Sequence, residues 1–195
     1  MFFLRPGPSN TESVLEIVKK RLESKDIKKV LVPFTTGKTA KLFTSEIGDD
    51  MQVLTISESE IVSLIRTLGY SNKGLLGELL QQRLQDANRL ISKNLRREIF
   101  DMAFLPFSGE KWDIGKEVLY AFGQGMKVAI EISIAAVELQ KVEPQVKVIA
   151  TGGTEKGVDT AVVLRTSSRV EAFSKSQAKR LIVQEIICMP IEKFE

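Results

Sequence analysis

Apolar residues recur at Val14, Leu15, Val18 and Leu22, the spacing of one helical face, and predict a helix over residues 11–23. Asn10 or Ser9 stands where a cap is needed, and Ser9 and Glu12 have the spacing of a capping box. The run from Lys29 to Phe34 is short, apolar and rich in valine, the pattern of a strand covered on both faces. Residues 35–39 follow directly and lead into a helical pattern that lasts to about Glu46. Gly48, Asp49 and Asp50 end it, and residues 52–56 read as the second strand of a βαβ unit.

Residues 57–99 carry a helical pattern interrupted near residues 69–77, with Leu80, Leu84, Ala87, Ile91 and Leu95 forming an apolar stripe on a charged helix. Residues 100–107 predict a third strand, and residues 114–122 and 126–139 predict helices hinged at Gly123, Gln124 and Gly125. The second of these helices is apolar on most sides, which predicts burial against a sheet. Strand patterns at residues 146–150, 161–164 and 181–188 follow, the first two joined by a glycine loop over residues 151–160. The whole chain, residues 1–195, reads as a single α/β domain with a mostly parallel sheet and a short terminal hairpin.

Composition narrows the function classes. Hydrophobic residues make up 43% and charged residues 27% of the 195, which fits a folded domain and falls short of the roughly 250 residues of a catalytic (β/α)8 barrel. The 28 basic and 25 acidic residues leave a net charge of +3, and the basic ones are scattered, so nucleic acid is not expected as a partner. No run approaches the ~20 apolar residues of a membrane span, and the short opening Met1-Phe2-Phe3-Leu4 is no signal-peptide core, so a cytoplasmic protein without a membrane partner is expected. The chain has no histidine and one cysteine. Mechanisms that need imidazole, disulfides and cysteine-zinc clusters are therefore excluded, and no metal site is expected.

Two segments carry candidate chemistry. Thr35, Thr36, Gly37, Lys38 and Thr39 lie between a strand and a helix, where backbone N–H groups, hydroxyls and an ammonium converge on one point suited to an anion. The Gly-Lys-Thr triplet is not a Walker A loop, because that motif requires glycine where Val32 stands. A plain helix cap built from threonine and glycine is the competing reading. The second segment, residues 151–160, holds Gly152, Gly153, Thr154, Asp159 and Thr160. Its glycines permit close approach of a ligand, and a flexible hairpin connection is its competing reading. Glu131 is a candidate ligand contact, against which stands a solvated i,i+4 pair with Lys127. Asp159 either meets a ligand hydroxyl or turns its loop. Cys188 reads as an inert core thiol, and Trp112 as a ring for stacking or for packing.

Residues 29–41, the helix over 125–139 and residues 148–165 together resemble the carboxy-terminal domain of pyruvate kinase, including stand-alone members of that family in archaea and bacteria. Thr35, Thr36, Gly37, Lys38 and Thr39 are similar to the family's Ser/Thr-Gly phosphate loop. The stretch from Thr151 to Thr160 is similar to the glycine-rich segment that closes over an effector sugar phosphate, although Gly153 stands where pyruvate kinases have tryptophan. The stand-alone members share Pro6-Gly7 followed by Asn10-Thr11, the helix motif from Lys127 to Ile132, the run from Gly157 through Val163, and the closing Ile-Ile-Cys-Met-Pro190.

The resemblance implies a three-layer α/β/α domain of the pyruvate kinase carboxy-terminal type that binds a phosphate-bearing small molecule, with flavin mononucleotide (FMN) as the implied cofactor. Asn10, Thr11 and Glu131 join the two loops in the implied site. Pyruvate kinase activity is not implied, because the matching domain of the full enzyme is regulatory, and no catalytic residue is assigned. A small flavin-dependent or phosphotransfer enzyme using Lys38 and Glu131 is the alternative, and a homo-oligomeric regulatory subunit is a third expectation.

Overall fold

A computed structural model of the chain describes residues 1–57, 99–101, 110–154 and 156–193. Residues 58–98 of the expected helical segment, the continuation of the third strand beyond residue 101 and the side chain of Trp112 lie outside the described residues. The elements run β1 (Phe2–Phe3), a 3-10 turn (Pro8–Asn10), α1 (Thr11–Leu22), β2 (Lys29–Phe34), α2 (Lys38–Glu46), β3 (Gln52–Ser57), β4 (Ile99–Asp101), α3 (Glu110–Tyr120), α4 (Gln124–Glu138), β5 (Lys147–Gly152), β6 (Thr160–Arg165) and β7 (Ile182–Pro190).

The protein is an α/β domain with a mixed sheet of six strands, extended at one edge by the two-residue β1, in the order β1-β7-β6-β5-β2-β3-β4. Strand β2 pairs parallel with both β3 and β5, β3 pairs parallel with β4, and β1 pairs parallel with β7. Among the described strands, β6 alone opposes its neighbours, pairing antiparallel with β5 and β7. The seven-residue connection from β5 to β6 is too short for the crossover that a parallel pair needs, so this pair has to be a hairpin.

Alternation along each central strand sends side chains to two cores. Leu31, Leu54, Ile56, Val148, Ala150, Val162 and Leu164 pack with Met126, Ala129, Ile130, Ile132 and Ile134 of α4. Val30, Val32, Val53, Ile149, Ala161 and Val163 pack on the other face with Val14, Leu15 and Val18 of α1 and Phe43 of α2. Helices therefore cover both faces, which explains why β2 reads as continuously apolar rather than alternating. Eleven of the fifteen residues of α4 are buried, as its nearly all-round apolar pattern requires.

The capping box does not form. The 3-10 turn ahead of α1 sets Asn10 at φ −85° and ψ −8°, already in the helical region, and no side chain bonds to the cap. Asn10 Nδ2 instead donates to the Arg5 carbonyl at 2.8 Å, and Thr11 Oγ1 to the Pro8 carbonyl at 2.7 Å. The sequence spacing of Ser9 and Glu12 was thus overridden by proline-initiated turn geometry.

Candidate functional site

The chain leaves β2 toward β3 on one side and leaves β5 toward β6 on the other, while β2 and β5 are themselves neighbours with Val30 opposite Ile149 and Leu31 opposite Ala150. The hydroxyl of Thr151, fully buried, donates to the Leu31 carbonyl at 3.1 Å and ties the two strands further toward their carboxyl ends. Two adjacent parallel strands whose connections diverge open a crevice at their carboxyl ends, the place where open α/β sheets take ligands. Residues 35–37 leave β2 at this edge, and residues 153–159 leave β5 one strand spacing away, about 4.8 Å.

At the first loop, Thr35, Thr36 and Lys38 are exposed and Thr39 is half-buried. The cap of α2 is Gly37 in the left-handed region at φ 79°, and no side chain hydrogen-bonds there. The threonine hydroxyls therefore do not cap the helix. They remain beside the first-turn N–H groups, which have no acceptor within the helix and lie at the positive end of its dipole. A valine at Gly37 would strain this cap directly, since its φ is one that side chains disfavour and its Cβ would crowd the Phe34 ring at 3.1 Å.

The second loop is held from three sides. Asp159, fully buried, accepts from the Gly7 N–H at 3.0 Å and from Thr154 Oγ1 at 3.2 Å on one carboxylate oxygen, and from Thr160 Oγ1 at 2.8 Å on the other. Thr11 Oγ1 accepts from the Val158 N–H at 3.1 Å. The backbone of Gly152 packs directly on Gly125 and Ala129 at the start of α4, and Gly153 on Gly157 and Val158, both so closely that neither leaves room for a Cβ. Gly125 is equally confined, by Asp159 and Thr160.

The structure thus brings Thr11, Gly152, Gly153, Thr154, Asp159 and Thr160 into one assembly, and sets Thr35, Thr36, Gly37, Lys38 and Thr39 at the neighbouring strand end. Asn10 lies on the same amino-terminal segment as Thr11, with its amide turned to Arg5. Glu131 sits on the same helix as Gly125. It lies about 9 Å further along the axis of α4 than Gly125, and roughly 240° around it. Its i,i+4 pair with Lys127 is formed, with Nζ to Oε2 at 2.7 Å, but the side chains are 15% and 4% exposed, so the pair is buried rather than solvated.

Sequence reasoning passed over three participants. Gly7 and Gly125 stand in segments singled out on other grounds, and their close contacts depend on residues far away in the chain. Lys193 had no sequence signal. Its side chain passes 3.5 Å from the position a Gly123 Cβ would take, and its ammonium donates to the Pro190 carbonyl. Burial lowers its pKa, with the Asp159 charge opposing that shift. The carboxyl edge of β2 and β5 thus carries the N-termini of α2 and α4, threonine hydroxyls, Lys38 and Lys193, groups of the kind that bind a phosphate, beside the Asp159 carboxylate. Among the described residues, no helix is long and apolar enough to cross a membrane, and no three or more histidine, cysteine, aspartate or glutamate side chains are grouped to hold a metal ion. A scan against models of known protein families finds no match to this chain.

Proposed function

We propose that the chain is a cytosolic ligand-binding domain of the pyruvate kinase carboxy-terminal type that holds a phosphate-bearing small molecule, with FMN as the first candidate, and has no pyruvate kinase activity. The observation that carries this reading is the strand order at β5-β2, where a glycine-capped helix loop and a glycine-rich loop leave the carboxyl ends of neighbouring strands in opposite directions. The phosphate lies against the N–H groups that open α2, with the hydroxyls of Thr35, Thr36 and Thr39 and the ammonium of Lys38 around it. The second loop, with Gly152, Gly153 and Thr154, covers the organic part of the ligand. Asp159 and Thr160 shape that cover, since their polar atoms bond to one another and to Gly7 and Thr154.

The test is an absorption spectrum and a native mass spectrum of freshly purified protein, followed by titration with FMN and with inorganic phosphate. A bound flavin, or a mass increment matching a phosphorylated metabolite, is expected. Lys38→Ala removes one charge-assisted contact from a solvent-facing position and should weaken FMN binding about tenfold or more. Protein that travels empty and binds neither FMN nor phosphate sinks the reading.

A further inference from the structure

Residues 1–11 form a strap along one side of the second loop. Met189 N donates to the Met1 carbonyl, Ile191 N to that of Phe3 at 2.8 Å, and Glu192 N to that of Leu4 at 3.1 Å, which fastens the strap to the end of β7. Its far end meets the loop at two buried or half-buried bonds of opposite sense. The strap gives the Gly7 N–H to Asp159, and the loop gives the Val158 N–H to Thr11. Gly157, at φ 72°, lies so close to Pro8 and Thr11 that a Cβ there would strike both. Neither piece can shift without leaving a backbone donor of the other unpaired in a place water does not readily reach, and such a donor is costly.

We propose that Asp159 is the positioning residue of this site, pinning strap and glycine loop into one unit, so that engagement of a ligand by the loop and docking of the strap are a single coupled event. The carboxylate acts through the loop and does not touch the ligand. The ligand half of this proposal rests on the proposed function; the pinning half is read on the protein alone. Coupling of this kind is reciprocal: whatever the ligand does to the strap, loss of the strap does to ligand affinity.

Hydrogen exchange at the Gly7 and Val158 amides tests it, in wild type, Asp159→Asn and Thr11→Val. The asparagine offers one acceptor oxygen where three donors converge, and the valine removes only the hydroxyl that receives Val158. Each substitution is expected to speed exchange at both amides about tenfold or more, including the one whose own partner is intact. If Asp159→Asn frees Gly7 alone and Thr11→Val frees Val158 alone, the contacts are independent and the proposal is overturned. Should Asp159→Asn fail to fold, the Gly7 amide in Thr11→Val decides by itself. With FMN as the probe on wild type, slower exchange at Gly7 together with the loop is expected, and protection of the loop with Gly7 unchanged overturns the coupling. Absence of FMN binding counts against the proposed function, and the exchange measured without ligand still decides the pinning.

Discussion

Gly152→Ala tests whether the start of α4 truly rests on the glycine loop. A Cβ at this position would fall on the carbonyl oxygen of Gly125, inside the 3.0 Å that real Cβ atoms essentially never breach, and would lie 2.9 Å from the Ala129 nitrogen. Both obstacles are backbone atoms, so no rotamer change relieves them and the helix must move away from the sheet. That helix carries Met126, Ala129, Ile130 and Ile132 into the core. Overpacking of this kind costs about 1–3 kcal/mol, and more where backbone is the obstacle. For a chain of this length each kcal/mol lowers Tm by about 2–4 °C.

We therefore expect Gly152→Ala to lose at least about 2 kcal/mol in urea denaturation and about 4–8 °C in a thermal melt. Gly48→Ala is the matched control, because nothing lies within 4 Å of its added methyl and its φ is ordinary. There the alanine restricts only the unfolded chain, and stability should be unchanged or rise by about 0.4–1 kcal/mol. Coincident unfolding curves for the two variants would refute the close approach, and with it the placement of α4 over the loop.

Three further outcomes follow from the charges and the core. The Arg21 guanidinium, then Ser24 and Lys147, hold the Asp26 carboxyl well below the usual carboxylate range; its stabilising effect is present above the unfolded value of about 3.9 and is lost as pH falls through the lower folded value. An NMR titration should find Asp26 still ionised near pH 4, and Arg21→Ala should return its midpoint toward 3.9; a midpoint that ignores the substitution would show the guanidinium is not the cause. Burial pushes the Cys188 thiol up to about 11, so iodoacetamide at neutral pH should label it only after unfolding, and rapid labelling of the native protein contradicts its core position. Lys127→Met removes the ammonium 2.7 Å from the buried Glu131 carboxylate and should cost about 1.5–3 kcal/mol, whereas Lys127→Met with Glu131→Leu should recover much of it; equal losses would mean the ion pair is not the coupled unit.

What the sequence disclosed was local. The valine run of β2, the glycine that caps α2 and the near-continuous apolar surface of α4 each follow from periodicity or from the conformational freedom of one residue, and each was legible. The failures share a cause as well. Ser9 and Glu12 had the right spacing for a capping box, but spacing does not report backbone state, and the turn begun at Pro8 puts Asn10 in the helical region. The pair of Lys127 and Glu131 was readable as a pair, yet its burial depends on which elements pack against α4. Asp159 reads from the sequence as either a ligand contact or a loop turn, while its partners include Gly7, 152 residues away in the chain. Lys193 reaches the same edge only because β7 returns there.

The candidate site depends on one topological step. Had β5 been added beyond β4, the loops after β2 and β5 would have been separated by two strands, and each would have been an ordinary connection on a closed edge. Placing β5 against β2 instead reverses the direction in which the chain builds the sheet, sends α2 and α4 to opposite faces, and sets the carboxyl ends of the two strands side by side between their diverging connections. The hairpin to β6 then turns the second loop back beside those ends, and β6 in turn positions β7, whose end receives the amino-terminal strap. Loop, strap and crevice are therefore consequences of a single strand insertion, which is why residues as distant as Gly7, Leu31, Gly125 and Asp159 meet at one edge although no short motif contains any two of them.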